Sequence, residues 1–134
     1  MTKLADLEGV GPTYASKLEA AGVKDTDMLL KMGAAPKGRK ELAEKSGISE
    51  VLILKWVNRA DLARVKGIGS EYADLLEVSG VDTVVELGNR KPENLVTKMG
   101  EVNEAKKLVR KLPTLTQVED WVKQAKDLPR AVSY

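Results

Sequence analysis

Apolar positions along this chain recur at helical intervals and are punctuated by glycine. Between Gly11 and Gly22, Tyr14, Leu18 and Ala21 fall three or four residues apart, on one face of a predicted helix. Gly9 and Gly11 stand either side of Val10 just before it and mark a very tight turn, since glycine tolerates positive φ and lets other groups approach its backbone. Pro12 suits the first position of the helix, and Gly22 can end it in the left-handed conformation. The segment LEGVGPTYASKLEAAGV, residues 7–23, therefore reads as helix, hairpin, helix.

The same pattern returns 58 residues later as VKGIGSEYADLLEVSGV, residues 65–81. Tyr14 matches Tyr72, Ala15 matches Ala73, Leu18 matches Leu76 and Gly22 matches Gly80, which identifies an internal duplication. Asp25 or Thr26 can cap a short helix ending near Gly33, and Thr83 with Glu86 forms a capping-box pattern at its counterpart. Pro36 opens a longer helix, interrupted at Gly47, Ile48 and Ser49 by what resembles a worn copy of the glycine turn. Pro92 matches Pro36 and Gly100 matches Gly47, so a more degenerate turn is expected near 100. Pro113 is expected to stop the helix that carries Ala105, Leu108 and Leu112, and Thr116 with Glu119 to cap the next. WVNRADL at Trp56 and WVKQAKDL at Trp121 echo one another, and the tail LPRAVSY reads as a capping extension. No segment alternates with period two, so essentially no sheet is expected.

The predicted fold is all-α, with eight to ten short helices in two related halves packed as one compact helical domain. Residues 1–60 hold the first pair, with an intact hairpin at 9–11 and a degenerate one at 47–49. Residues 61–134 hold the second, with an intact hairpin at 67–69, a degenerate turn near 100 and a C-terminal helix. Apolar residues make up 43% and aromatics only 4%, so the core is built from Leu, Val and Ala, with Trp56 and Trp121 as anchors.

The absence of cysteine and histidine removes disulfides, thiolate nucleophiles, Cys/His zinc sites and imidazole chemistry. No pair of carboxylates stands out as an acid–base or metal site, and neither glycine turn has the spacing of a dinucleotide fingerprint or a Walker lysine. The expectation is a non-enzyme without a cofactor or small-molecule substrate. The longest strongly apolar run, VLIL at 51–54, is far too short to span a membrane, so a soluble cytoplasmic protein with no membrane partner is expected.

With the glycine turns, the Tyr-Ala pairs and the tryptophan segments in view, the sequence resembles helix-hairpin-helix proteins. More narrowly, the stretch from KWVNRADLARVKGIGSEYADLLEVSGVDTVVEL through VEDWVKQAKDL resembles a bacterial family catalogued as a domain of unknown function built on such repeats. The resemblance covers nearly the whole chain. It implies binding of DNA without sequence specificity, with paired hairpins across the minor groove, and in some members a monovalent cation at hairpin carbonyls.

A physical reason for that activity lies in the turns themselves. A helix's first amides lack intrahelical acceptors and carry its positive dipole end, so a phosphate can settle there. The candidate donors are Gly9, Gly11 and Thr13 in the first turn, and Gly67, Gly69, Ser70 and Glu71 in the second, with Lys17 and Lys66 as the nearest cations. Strong DNA binders of this class often carry Lys or Arg after the second glycine, where this chain has Pro12-Thr13 and Ser70-Glu71; Glu8 and Glu71 oppose an anion.

The net charge is only +2, and its positive share falls elsewhere: Lys37, Arg39, Lys40 and Lys45 around one degenerate turn, and Lys106, Lys107, Arg110 and Lys111 beside the other. Two readings stay open. One is a non-sequence-specific binder of nucleic acid, chiefly double-stranded DNA; the other is a protein-interaction or scaffold module that keeps the hairpins without DNA binding.

Overall fold

The computed structural model describes residues 3–7 and 9–133 and, of Asp6 and Ser70, the backbone alone. All regular structure among the described residues is helical. A 3-10 turn at Leu4–Asp6 is followed by α1 (Gly11–Ala20), α2 (Thr26–Met32), α3 (Pro36–Ser46), α4 (Glu50–Leu62), α5 (Ser70–Val78), α6 (Val84–Gly88), α7 (Pro92–Lys106) and α8 (Leu115–Asp127). The chain divides into two compact units, Met1–Asp61 with Ala131–Tyr134, and Leu62–Arg130.

In the first unit, α1 is closed by a turn in which the Val23 amide donates to the Leu18 carbonyl at 2.9 Å, seating Val23 in the core. Of the two candidate caps for α2, Asp25 does the work, its Oδ1 accepting from the Met28 amide at 2.9 Å. Leu18, Leu29, Leu42, Ile53 and Trp56 are fully buried, and Val132, from the end of the chain, joins them.

α3 packs on α1 and α2, and Gly38 sets how closely it meets the second of these. A Cβ built at Gly38 would land on the Met32 carbonyl oxygen, a backbone atom that no rotamer change can move aside. Alanine in a helix interior is ordinarily favoured over glycine by about 1 kcal/mol. Here the sign reverses: Gly38→Ala should destabilise the protein by roughly 2 kcal/mol, as overpacking does, and chemical denaturation would measure it.

The second unit buries Leu75, Leu76, Leu87, Leu95, Met99, Val118 and Trp121 around α8, which lies against α6 and α7. The Val81 amide donates to the Leu76 carbonyl at 2.8 Å, the same closure as at Val23 and 58 residues further on. Thr83 caps α6 by accepting from the Glu86 amide, while Glu86 reaches back to the Asp82 amide, one residue short of the full reciprocal box expected at Thr83.

Ser79 follows α5 at the position Ala21 holds in the first unit, 97% buried by area and with no hydrogen-bond partner for its Oγ. An unsatisfied buried hydroxyl costs about 1–3 kcal/mol. Ser79→Ala, which installs the first unit's own solution, should therefore raise stability by about 1 kcal/mol in a denaturant titration; a loss would mean that the hydroxyl is satisfied in solution.

Several sequence expectations are corrected. Gly100 lies inside α7 rather than at a turn, and the chain leaves the helix instead at Lys107, a non-glycine residue at φ 51°. Leu108 and Leu112 are therefore loop residues and Pro113 stops no helix. α8 starts earlier than Thr116: Thr114 and Gln117 form its capping box, each side chain bonded to the other's backbone amide. The last residues, placed with the second half by their sequence position, belong to the first unit, where the Ser133 amide donates to the Ala34 carbonyl at 2.7 Å.

Candidate nucleic-acid interface

The segment from Leu62 to Ser70 folds into successive tight turns, with the Val65 amide donating to Leu62 and the Ile68 amide to Val65. Those bonds bury Val65 and Ile68 and leave Lys66, Gly67 and Gly69 exposed. Gly67 adopts φ 100°, a conformation that side chains rarely take. Gly69 then precedes α5 in an extended conformation, φ −91° and ψ −174°, with no side chain capping the helix. The first backbone bond of α5 runs from Ala73 to Gly69, so the amides of Ser70, Glu71 and Tyr72 at the start of the helix have no intrahelical acceptors.

Helix α8 holds this turn from below. Trp121 is 2% exposed, its ring centroid lies 5.2 Å from that of Tyr72, and a Cβ on Gly67 would come within 2.8 Å of its Nε1. One helical turn on, Gln124 clamps the backbone of Lys66: its Oε1 accepts from the amide at 2.9 Å and its Nε2 donates to the carbonyl at 3.1 Å. An open groove of about 460 Å³ lies over the turn, and its described lining consists of Gly67, Gly69, Glu71, Tyr72, Arg110 and Lys111. Two of the expected cations thus stand beside the glycines, with one carboxylate among them.

The first turn is built on the same plan with different chemistry around it. Val10 donates to the Leu7 carbonyl and Leu7 to Leu4, and the Tyr14 and Trp56 rings lie 5.1 Å apart, a near match to the other pair. Gly9 sits over Trp56 with more room, a Cβ there being 3.7 Å from Nε1. The second glycine differs: Gly11 has φ 66° and lies inside α1, whereas Gly69 is extended and outside α5. An open groove of about 530 Å³ runs past Gly9, Gly11, Thr13 and Tyr14, and its described lining carries no charge.

A family model matches residues 8–128, described as Domain of unknown function (DUF4332). The chain belongs to that family. The matched region takes in both glycine turns, both tryptophans and the loop bearing Arg110 and Lys111. No curated protein matches the chain, and no solved structure does.

Of the remaining candidate residues in this family member, Lys17 is exposed with its Nζ 5.7 Å from the centroid of the Tyr14 ring. Lys37 and Lys40 are exposed on α3, and Lys106 and Lys107 are exposed at the end of α7 without lining the groove. Arg39 is not a surface cation. It is 5% exposed, and its guanidinium donates to the carbonyls of Gly33, Ala34 and Ser133 at 2.8, 3.0 and 2.7 Å. Those three acceptors belong to the α2–α3 turn and the chain's tail, so Arg39 stitches the first unit together. Glu8 and the Ser70 hydroxyl lie outside the described residues.

Sequence reasoning missed Gln124 and Asn103. Asn103 does for the loop after α7 what Gln124 does for Lys66, accepting from the Val109 amide at 2.9 Å and donating to its carbonyl at 3.2 Å. Among the described residues no group of three or more acidic side chains is arranged to hold a metal ion, and no helix is long and apolar enough to cross a membrane.

Proposed function

We propose that the Gly9–Gly11 and Gly67–Gly69 turns are helix-hairpin-helix motifs and that the protein binds double-stranded DNA without sequence specificity, holding backbone phosphates at the turn amides. The observation that carries this reading is the shared groove of Gly67, Gly69, Arg110 and Lys111, which puts two cations beside the uncapped start of α5. Helix dipole, free amides and positive side chains all favour an anion there. Contacts of this kind position a protein on a duplex but do not read its bases, so no defined operator is expected.

The test is a titration of a labelled duplex of about 20 base pairs over a series of salt concentrations. Each phosphate contact contributes about −0.9 to the slope of log K against log salt on B-form DNA. Binding that weakens with salt, varies little with sequence and drops in an Arg110→Ala/Lys111→Ala variant supports the reading. No binding at low salt overturns it.

Glu71 gives a second handle on the same groove. Its carboxylate shares the lining with Arg110 and Lys111 and opposes an incoming phosphate while neutralising part of the helix dipole. Glu71→Gln should therefore tighten duplex binding several-fold, on the order of the 0.3–1 kcal/mol attached to a charge at a helix terminus. Unchanged affinity would place the phosphate away from α5.

A further inference from the structure

Resting on the reading above, we propose that the loop at residues 107–114 makes the second glycine turn the stronger phosphate-binding turn of the two, and that Asn103 and Tyr72 are its positioning residues. The loop begins at Lys107, where positive φ turns the chain sharply out of α7. Asn103, still within the helix, then satisfies both backbone groups of Val109, whose own side chain is buried. Two residues further on, the Tyr72 hydroxyl donates to the Lys111 carbonyl at 3.0 Å. Arg110 is bracketed between these two fixed points, and Arg110 and Lys111 line the groove over Gly67 and Gly69.

The first unit has no such loop at the corresponding place. Its corresponding connection, between α3 and α4, is only residues 47–49: Gly47 turns left-handed, Ile48 is buried and Ser49 leads into the next helix. The described lining of its groove accordingly carries no cation. A loop backbone already ordered by two tethers needs no further ordering when an anion arrives, so its cations bind with less entropy lost than untethered ones. Tyr72 serves two ends at once, with its ring against Trp121 and its hydroxyl on the loop.

The experiment has one arm without DNA and one with it. In the first, amide exchange is followed in Tyr72→Phe and Asn103→Ala. Tyr72→Phe keeps the ring packed and removes only the tether. Faster exchange from Val109 to Lys111, with α5 and α8 unchanged, is expected; unchanged loop exchange overturns the proposal. In the second arm the duplex titration is repeated.

Arg110→Ala/Lys111→Ala should flatten the salt slope by about 1.8, the share of two contacts. Tyr72→Phe should weaken binding several-fold in the wild-type background and have no further effect in the Arg110→Ala/Lys111→Ala background. Additive effects, or a larger loss from Thr13→Glu in the first groove than from Gly69→Glu in the second, overturn this proposal while leaving DNA binding standing. Failure of the wild type to bind DNA overturns the functional reading itself and the binding part of this one.

Discussion

Trp121→Ala should cost about 3–5 kcal/mol, the range for truncating a buried aromatic, and should be the most damaging single truncation in the second unit. The indole is 2% exposed and packs in a cluster with Ala73, Leu76, Val118 and Val122. It also forms the floor beneath Gly67 and stacks at a tilt of 53° on Tyr72. Its removal therefore takes away core volume and the support of the candidate binding turn together. Thermal and urea denaturation followed by circular dichroism would measure the loss. Trp56 would remain as the sole indole, so fluorescence then reports on the first unit. A loss under about 1 kcal/mol would be far below a filled-core truncation and would mean that Trp121 does not anchor the unit.

Gly67→Ala should destabilise by roughly 3 kcal/mol, while Gly69→Ala should be close to neutral. Two separate effects meet at Gly67: a φ of 100° that strains any side chain, and a Cβ 2.8 Å from Trp121 Nε1. Strain and overpacking each cost about 1–3 kcal/mol. At Gly69 the backbone is extended and a Cβ meets nothing within 4 Å, so neither effect operates. The pair is a sharp test because sequence alone gives the two glycines the same role. Coupling with the first prediction is also expected. In a Trp121→Ala background the steric part of the Gly67→Ala cost should vanish and only the backbone strain remain. Equal effects at both glycines would mean that the turn is not the one described.

That contrast bounds what was legible beforehand. Glycines at 9, 11, 22, 47, 67 and 80 adopt positive φ, and Gly47 and Gly67 lie between helical segments. Asp25 and Thr83 cap their helices, and Trp56 and Trp121 are buried core anchors. Gly100 misled because its match to Gly47 was by alignment alone. No positive φ is called for there, and the helix runs through it to Lys107. A lysine at positive φ carries no local signal, whereas Asn103, whose side chain replaces the helix as partner for the following backbone, was the overlooked cause.

Arg39 shows the same limit from the side of charge. In the sequence it sits among lysines in a basic run, yet it is buried because three carbonyls converge on it, one of them 94 residues away in the chain. Its neighbours Lys37 and Lys40 on the same helix stay exposed.

By itself, the sequence determined what depends on a few neighbouring residues: that the chain is helical with apolar faces, where glycine lets the backbone take positive φ, and which residues cap α2 and α6. Those are properties of local backbone freedom and helical period, and both can be read from residue types in order. Only the tertiary structure decided which charges reach which turn. Tyr72 meets Lys111 across 39 residues and Gln124 meets Lys66 across 58, and it is these distant bonds that order the loop and turn around one groove. Which distant side chain stands beside which backbone group depends on how the helices pack, and no local pattern encodes that.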